Sequence, residues 1–245
     1  MRIDGQVAVV TGGGSGLGRG TARMLVAAGA RVAALDAQPQ GVQALAAELG
    51  EAVLPITIDV RDGPQMEAAF ERVAAHWGEA RILVNCAGVL GVGKLLKRDG
   101  KARELDAFRR VIDINLVGTF NSIRVFAARI HAAQALDGGE RGVIVNTASV
   151  AAYEALSAQA AYGSSKGGVA GMTLPLAREL ARHGIRAVAI APGSFDTGML
   201  AVVPDHTRQT LVADAPFPPR AGAPAEYAHL VRAVIDHCKH EGRLS

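Results

Sequence analysis

The feature that most constrains this chain is a regular alternation of short apolar runs with longer amphipathic segments. Between the runs, apolar residues recur at helical spacing, whereas the runs themselves are nearly continuously apolar, as strands covered on both faces must be. Alternating strands and helices form a parallel sheet with right-handed crossovers. We expect an α/β protein with a doubly wound parallel sheet in a three-layer α/β/α arrangement. The predicted strands are Val7–Val10, Val32–Leu35, Val53–Ile58, Ile82–Asn85, Val143–Asn146 and Ala187–Ile190.

The composition indicates one well-packed domain over residues 1–245. Hydrophobic residues make up 49% of the chain and the net charge is only +3, whereas disordered chains combine low hydrophobicity with high net charge. The sequence shows no internal repeat and no long linker. The proline-rich stretch from Pro204 to Pro224 indicates a surface excursion rather than a domain boundary.

Charge and cysteine usage bear on partners and location. Lys and Arg are scattered, whereas nucleic-acid binders gather them on one element. The densest basic stretch, Lys94 to Arg103, indicates a solvated loop, with contact to an acidic or phosphorylated ligand as the alternative. No apolar run reaches the length of a membrane span, and we expect no leader, because strand-like sequence begins by Gln6. Two cysteines, Cys86 and Cys238, suit a reducing compartment. We expect a cytoplasmic protein with no nucleic-acid or membrane partner.

A glycine-rich turn follows the first predicted strand and opens a helix. It runs from Thr11 to Gly18 as Thr-Gly-Gly-Gly-Ser-Gly-Leu-Gly. Such a turn offers backbone N–H groups and the positive end of a helix dipole to a pyrophosphate, and side chains at Gly12, Gly16 or Gly18 would hold the phosphates or the crossing helix away. The spacing differs from the commoner Gly-x-Gly-x-x-Gly pattern, and a tight connection is the alternative. Its place after the first strand favours a dinucleotide site in a Rossmann fold.

Acidic residues end the second and third predicted strands. Asp36 stands where a carboxylate accepts hydrogen bonds from both hydroxyls of an adenosine ribose. It would repel a 2′-phosphate, and neither Gly14 nor Ser15 supplies a compensating positive charge, so we expect NAD rather than NADP. Asp59 and Val60 follow the third strand at the same edge, where an adenine could be held. An isolated Asp at a strand end is equally typical of a helix cap.

A tyrosine and a lysine share one face of a later predicted helix. Tyr162 and Lys166 are four residues apart, a spacing that brings side chains together on a helix. An ammonium beside a phenol favours the phenolate, and alcohol oxidation needs a base tuned near the working pH. On spacing alone, a surface pair is the alternative. The helix also contains four glycines, which usually mark close approach by a backbone or a ligand.

Two further polar residues stand at informative places. Ser149 follows the fifth predicted strand, at the carboxyl edge where such sheets bind ligands. Asn115 interrupts the apolar helix from Val111 to Val117. Taken alone, Asn115 equally fits a buried amide that bridges backbone groups.

Together these residues resemble the short-chain dehydrogenase/reductase family over nearly the whole chain. The family pattern Thr-Gly-x-x-x-Gly-x-Gly is matched from Thr11 to Gly18, and its Asn-x-Ala-Gly is matched by Asn85-Cys86-Ala87-Gly88. Its Pro-Gly turn is matched by Pro192-Gly193. Its catalytic tetrad falls on Asn115, Ser149, Tyr162 and Lys166.

The resemblance implies a role for each matched residue. Tyr162 would take the proton of a secondary alcohol, and Lys166 would lower the pKa of Tyr162 and hold the nicotinamide ribose. Ser149 would bind the substrate oxygen together with Tyr162, and Asn115 would order a water beside Lys166. A loop at about 195–220 would close over the substrate, and no metal is expected. The implied cofactor contacts are Gly12, Ser15, Gly16, Leu17, Gly18, Asp36, Asp59, Val60, Asn85, Cys86, Ala87, Gly88, Tyr162, Lys166, Pro192, Gly193, Phe195 and Thr197.

Longer strings look like one branch of that family, the type-2 3-hydroxyacyl-CoA dehydrogenases, also known as 17β-hydroxysteroid dehydrogenase type 10. The branch implies NAD-dependent oxidation of an L-3-hydroxyacyl-CoA to the 3-oxo compound, in fatty acid metabolism, by a homotetramer. The strings are Asn-Cys-Ala-Gly with the basic loop after it, Ile-Val-Asn-Thr-Ala-Ser-Val-Ala-Ala-Tyr-Glu from Ile144, Gly-Met-Thr-Leu-Pro from Gly171, and Pro-Phe-Pro-Pro-Arg from Pro216.

The sequence is also compatible with other functions. One is a 3-oxoacyl-carrier-protein reductase, or a steroid or polyol dehydrogenase, of the same family; the lack of a basic residue near Gly14 or after Asp36 weighs against an NADPH-dependent reductase. Another is a dinucleotide-binding scaffold with little turnover, against which the intact tetrad argues. Relatives continue past the position of Glu241 into a last strand, whereas this chain stops at Ser245. We therefore expect six to seven strands with the last one truncated or missing.

Overall fold

The computed structural model describes residues 1–201 and 217–237, and within them six strands form one sheet. The order is β3-β2-β1-β4-β5-β6, with every neighbouring pair parallel. The chain steps outward from β1 first to one side and then to the other, which confirms the doubly wound sheet. The strands are β1 Val7–Thr11, β2 Arg31–Asp36, β3 Val53–Thr57, β4 Ile82–Asn85, β5 Gly142–Thr147 and β6 Ile185–Ile190.

Helices connect the strands and cover both faces of the sheet. A π-helical turn, Asp113–Val117, joins α4 to α5. The α-helices of the described residues are α1 Gly16–Ala27, α2 Pro39–Leu49, α3 Gly63–Trp77, α4 Leu105–Ile112, α5 Gly118–Ile130, α6 Ala151–Glu154, α7 Ala160–Ala181, α8 Gly198–Ala201 and α9 Pro224–Asp236.

Each face of the sheet carries its own hydrophobic core. On one face, Phe70 of α3 and Phe126 of α5 pack with Ile144 of β5. On the other, Leu25 of α1 and Tyr227 of α9 lie in the cluster that holds the alternate strand residues. Because side chains alternate across a strand, the continuously apolar strands supply both cores, which confirms the three-layer arrangement.

One helical run is longer than the sequence patterns indicated. Within the described residues, Leu105–Ile130 is long and apolar enough to cross a membrane by length and composition, and 50% of its most apolar window is buried inside the protein. Ile123 and Ile130 of this run are in the core beneath the sheet. The run therefore packs as a core helix of the α/β sandwich.

Two predictions concern residues outside the described ranges. The truncated last strand, after Glu241, lies there, as does the part of the predicted substrate loop from 202 to 216. Both stay predictions, and so does the assignment of residues 1–245 to one domain.

The third strand is shorter than predicted, since β3 ends at Thr57 rather than at Ile58.

Candidate active site

The glycine-rich turn is packed tightly where β1 passes into α1. A Cβ atom at Gly12 would lie 2.7 Å from the backbone nitrogen of Ala87, and one at Gly18 would lie 2.1 Å from the carbonyl oxygen of Gly12. Gly12 also has φ +67°, which L side chains rarely adopt. These two glycines are thus required by the turn's contact with the chain after β4 and by its own closure.

The amino end of α1 faces the carboxyl edge of the sheet. Ser15 is the N-cap residue in extended backbone, and its side chain makes no cap hydrogen bond. The first N–H groups of a helix have no acceptor within the helix, and they carry the positive end of its dipole. The turn from Ser15 to Gly18 therefore offers N–H donors that fit a pyrophosphate.

Asp36, at the end of β2, lies directly against this turn. Its Oδ2 atom accepts a hydrogen bond from the backbone N–H of Gly14 at 3.1 Å, and its Oδ1 atom accepts one from Gln38 at 2.9 Å. A Cβ atom at Gly14 would lie 3.0 Å from the carboxylate. The carboxylate is thus held beside the turn by backbone donors, in the position predicted for the ribose contact.

Asp59 and Val60 lie just past the end of β3, and other residues engage both. Arg61 Nε lies 3.0 Å from each oxygen of the Asp59 carboxylate, and this pairing lowers the pKa of Asp59. Val60 is buried against Gly118, and its carbonyl accepts a hydrogen bond from Asn121 at 2.8 Å. An adenine amino group would share the carboxylate with Arg61.

Asn85 is turned into the protein interior. Its Nδ2 donates to Oδ1 of Asn146 at 2.9 Å, and its Oδ1 accepts from the hydroxyls of Ser122 at 2.6 Å and Thr11 at 3.4 Å. This buried network ties β1, β4, β5 and α5 together below the site. The side chain of Asn85 therefore supports the chain from Cys86 to Gly88 from within. Sequence reasoning missed Ser122 and Asn146, because no motif marks them.

Ser149, Tyr162 and Lys166 meet at the carboxyl end of β5. The Ser149 side chain interacts with the Tyr162 phenol and acts to lower its pKa, and Ser149 Oγ accepts from the backbone of Ala151 at 3.2 Å. Lys166 is buried, its Nζ donates to the carbonyl of Thr147 at 2.6 Å, and it lies 5.9 Å from the centre of the Tyr162 ring. The structure thus brings together three of the four predicted catalytic residues around one phenol.

The titration of this pair is governed mainly by burial. Burial raises the pKa of Tyr162, and the hydrogen bond from Ser149 opposes that rise. Burial also lowers the pKa of Lys166 to about 8. The net pKa of Tyr162 is therefore raised rather than lowered as expected, because desolvation of both charged forms dominates.

Asn115, the fourth predicted member, lies in the π-helical turn below Lys166. Its Oδ1 accepts from the backbone N–H of Val89 at 2.8 Å, and its Nδ2 donates to the carbonyl of Val89 and the hydroxyl of Ser165, both at 3.0 Å. Ser165 in turn donates to the carbonyl of Tyr162 at 2.7 Å. A π turn is frequent at functional sites, and here it links the chain after β4 to α7. Sequence reasoning missed Ser165, which directly precedes Lys166.

The chain after β6 returns to the glycine-rich turn. The carbonyl of Pro192 accepts from Val150 at 3.1 Å, so the Pro-Gly turn lies beside Ser149. A Cβ atom at Gly16 would lie 3.2 Å from the Thr197 methyl group. Phe195 packs at right angles to Tyr227, with ring centres 6.2 Å apart. Thr197 therefore lies beside the start of α1, at the same end of the sheet as the Tyr–Lys pair.

A sheet in this order, with a glycine-rich turn after β1 and a Tyr–Lys pair beyond β5, defines an oxidoreductase that uses a nicotinamide dinucleotide. The sequence matches the model of the short chain dehydrogenase family over residues 6–208. The chain belongs to this family, whose members bind NAD(P).

Individual relatives give the comparison more detail. A 3-hydroxyacyl-CoA dehydrogenase type-2 of Bos taurus is 45% identical over 243 residues, which are 99% of this chain and 93% of the relative. The crystal structure of 3-hydroxyacyl-CoA dehydrogenase type-2 from Mycobacterium avium has a TM-score of 0.87 at 36% identity, covering 95% of this chain and 90% of that one. The 3-ketoacyl-(acyl-carrier-protein) reductase from Brucella melitensis, complexed with NADH, has a TM-score of 0.84 at 30% identity, with 95% and 91% covered.

Proposed function

We propose that this protein oxidises an L-3-hydroxyacyl-CoA to the 3-oxoacyl-CoA with NAD as the hydride acceptor. The observation that carries the proposal is the meeting of Ser149, Tyr162 and Lys166 at the carboxyl end of β5. The glycine-rich turn lies at that same edge of the sheet. Similarity to dehydrogenases named for this substrate, at 45% identity, supports the choice of alcohol.

The residues of the chain divide the work of alcohol oxidation. Tyr162 Oη takes the proton of the substrate hydroxyl in its ionised form, and because burial raises its pKa, the fraction in this form grows as the pH rises. The Ser149 hydroxyl donates to the substrate oxygen and stabilises the charge that develops there. Lys166, fixed to the Thr147 carbonyl, keeps an ammonium close to the Tyr162 ring and would hold the nicotinamide ribose. When bound, NAD supplies the site that accepts the hydride from the carbinol carbon.

The residues around the turn fit NAD better than NADP. The N–H groups at the start of α1 suit the pyrophosphate. The Asp36 carboxylate is held beside the turn by Gly14 and Gln38, where we expect it to bind the adenosine ribose, and a negative charge there would repel a 2′-phosphate. The fit therefore supports the non-phosphorylated cofactor.

Steady-state kinetics test the proposal against its alternatives. NADH formation from L-3-hydroxyacyl-CoA thioesters of increasing chain length is the expected activity, with kcat/KM for NAD well above that for NADP. Faster reduction of 3-oxoacyl-carrier-protein with NADPH would overturn it in favour of the reductase. Binding of NADH by calorimetry without turnover of any thioester, steroid or polyol would make the protein a scaffold.

The outer faces of the central helices support assembly into a homotetramer. Large apolar side chains are exposed along the α4–α5 run and on α7, and exposed apolar surface is what protein–protein contacts bury. Sedimentation equilibrium should give four times the 25.3 kDa of the chain, and a Phe120→Asp variant should give a smaller species. An unchanged mass in that variant would count against this face. The exposed residues are Leu105, Phe108, Val117, Phe120 and Leu174.

We further place the protein in the cytoplasm, in fatty acid metabolism. The location rests on the presence of only two cysteines, which suits a reducing compartment, and the pathway rests on the proposed substrate. Fractionation of cells that produce the protein tests the location, and accumulation of 3-hydroxyacyl-CoA on deletion tests the pathway. Recovery in a membrane or organellar fraction would contradict the assignment.

A further inference from the structure

Tyr227 is a buried tyrosine with no role in the chemistry proposed so far. It lies on α9 and is 2% exposed. It belongs to the core on the opposite face of the sheet from α7, the helix that carries Tyr162 and Lys166. A phenylalanine would fill the same space without a buried hydroxyl to satisfy, so the hydroxyl calls for an explanation.

The hydroxyl of Tyr227 is bonded to the last residue of β5. It lies 2.6 Å from the hydroxyl of Thr147, and Cys86 Sγ lies 3.6 Å from Thr147 Oγ1 and 4.0 Å from Tyr227 Oη. The carbonyl oxygen of the same Thr147 accepts the hydrogen bond of Lys166 Nζ at 2.6 Å. One residue at the edge of the sheet is therefore held by Tyr227 through its side chain and holds Lys166 through its backbone.

The ring of Tyr227 has a second contact at the site. It meets Phe195 edge to face, with ring planes at 85°, and Phe195 begins the segment that brings Thr197 against the glycine-rich turn. Tyr227 thus touches the chain that follows β6 as well as the residue that ends β5. Its hydroxyl and its ring therefore join these two segments.

We propose that Tyr227 is a positioning residue for Lys166: its hydroxyl fixes Thr147, and the carbonyl of Thr147 fixes the lysine ammonium. The proposal rests on the proposed dehydrogenase activity. Burial holds the pKa of Tyr227 well above its ordinary value, so the phenol stays neutral and acts through its hydrogen bond. Loss of that hydrogen bond leaves the Thr147 carbonyl, which accepts from Lys166, less firmly fixed.

The groups that titrate around Lys166 can be named. Within the described part of the chain, those facing its ammonium are Tyr162 on the same helix and Cys86 after β4. Cys86 also faces Tyr227, and burial raises the pKa of its thiol. A change in the pH profile after substitution of Tyr227 therefore reports on the Lys166–Tyr162 pair.

The test compares Tyr227→Phe with the wild type in two independent readouts. The first readout is the pKa of Lys166 in the cofactor-free protein, followed by NMR with isotope-labelled lysine. The Lys166→Met variant identifies the Lys166 signal. In Tyr227→Phe this signal should titrate at lower pH. With less ammonium beside Tyr162, the rise of kcat/KM for oxidation should move to higher pH. Both shifts should be about half a pH unit, comparable to the loss of one hydrogen bond.

Matched variants separate positioning from mere packing. Thr147→Val, which removes the hydroxyl, should reproduce both shifts, whereas Thr147→Ser, which keeps it, should show the wild-type values. Val231→Ala removes core packing from α9, so it should lower Tm and leave the pH profile unchanged. An unchanged Lys166 titration in Tyr227→Phe, or an equal shift in Val231→Ala, would overturn the proposal. A wild type with no dehydrogenase activity would instead refute the proposed function, and the NMR titration would still decide the role of Tyr227.

Discussion

The carboxylate of Asp36 accepts a hydrogen bond from the backbone N–H of Gly14 at 3.1 Å. This contact joins the end of β2 to the turn that begins α1, so the charge of Asp36 lies at the mouth of the predicted dinucleotide site. The second carboxylate oxygen is held by Gln38. The relationship gives the cofactor preference a definite structural cause.

Substitution of Asp36 should change the choice of cofactor. Asp36→Ala should lower kcat/KM with NAD about 10-fold or more, since a hydrogen bond to a charged group is worth ~1.5–3 kcal/mol. Asp36→Asn, which removes the charge and keeps an acceptor, should lose less with NAD and gain with NADP. Kinetics with both cofactors check this. Equal loss of NAD and NADP activity in both variants would show that Asp36 only supports the turn.

Removal of the Tyr162 hydroxyl should abolish turnover and spare binding. Tyr162→Phe should lower kcat by about 10²–10⁴-fold, the usual contribution of a positioned acid or base. NADH binding, measured by fluorescence titration, should stay within about twofold, because a hydroxyl lost from the pair leaves the turn unchanged. Tyr153→Phe is the control, as Tyr153 is 78% exposed. Retention of activity in Tyr162→Phe would refute the assignment of the base.

The buried ammonium of Lys166 should make stability depend on pH. Its pKa is lowered from 10.5 to about 8 in the folded protein, so between these values the unfolded chain carries a proton that the folded chain lacks. The free energy of unfolding then rises with pH across this window, and the cost of the buried charge below it is about 3 kcal/mol.

Chemical denaturation at several pH values measures that cost. Lys166→Met should remove most of the rise between about pH 8 and about pH 10, since the variant has no ammonium to bury. Burial raises the pKa of Tyr162, so its linkage acts at higher pH and in the opposite direction. Parallel curves for the wild type and Lys166→Met would mean that Lys166 is not desolvated in solution.

The side chain of Asn115 should contribute to stability as well as to activity. Asn115→Ala leaves two backbone groups of Val89 and the hydroxyl of Ser165 without this partner, and each unsatisfied buried group costs about 1–3 kcal/mol. Ser165→Ala removes one of these bonds and should cost about 1 kcal/mol. Thermal and urea denaturation check both. A smaller loss for Asn115→Ala than for Ser165→Ala would contradict the network.

Local sequence patterns predicted most of the secondary structure and many of the candidate site residues. The predicted strand Ile82–Asn85 is the observed β4, and the others differ at their ends by one or two residues, because apolar continuity is a property of neighbouring residues. Tyr162 and Lys166 could be found because their four-residue spacing is local, and Ser149 could be found because it follows a predicted strand. The glycine-rich turn could be placed because it directly follows a strand.

Local sequence patterns could not predict the contacts between segments that are distant in the chain. The sequence suggested Asn85 as a cofactor contact, and the fold turns its side chain to Asn146, 61 residues away. Arg61 is hydrogen-bonded to the Asp59 carboxylate, and the Tyr227 hydroxyl is hydrogen-bonded to Thr147, which lies 80 residues earlier in the chain. The pKa of Tyr162 depends on how deeply its helix lies against the sheet, which no spacing expresses.

The sequence by itself determined the order of strands and helices, the glycine turn and the identity of the reactive side chains. These follow from short-range sterics and from periodic burial, which neighbouring residues encode. Only the tertiary structure decided which side chains face the site and which are hydrogen-bonded in the protein interior. It also decided the pKa values of the ionisable groups. Those properties depend on desolvation and on hydrogen bonds between residues far apart in the chain, and they exist only once the sheet and its two helix layers have packed.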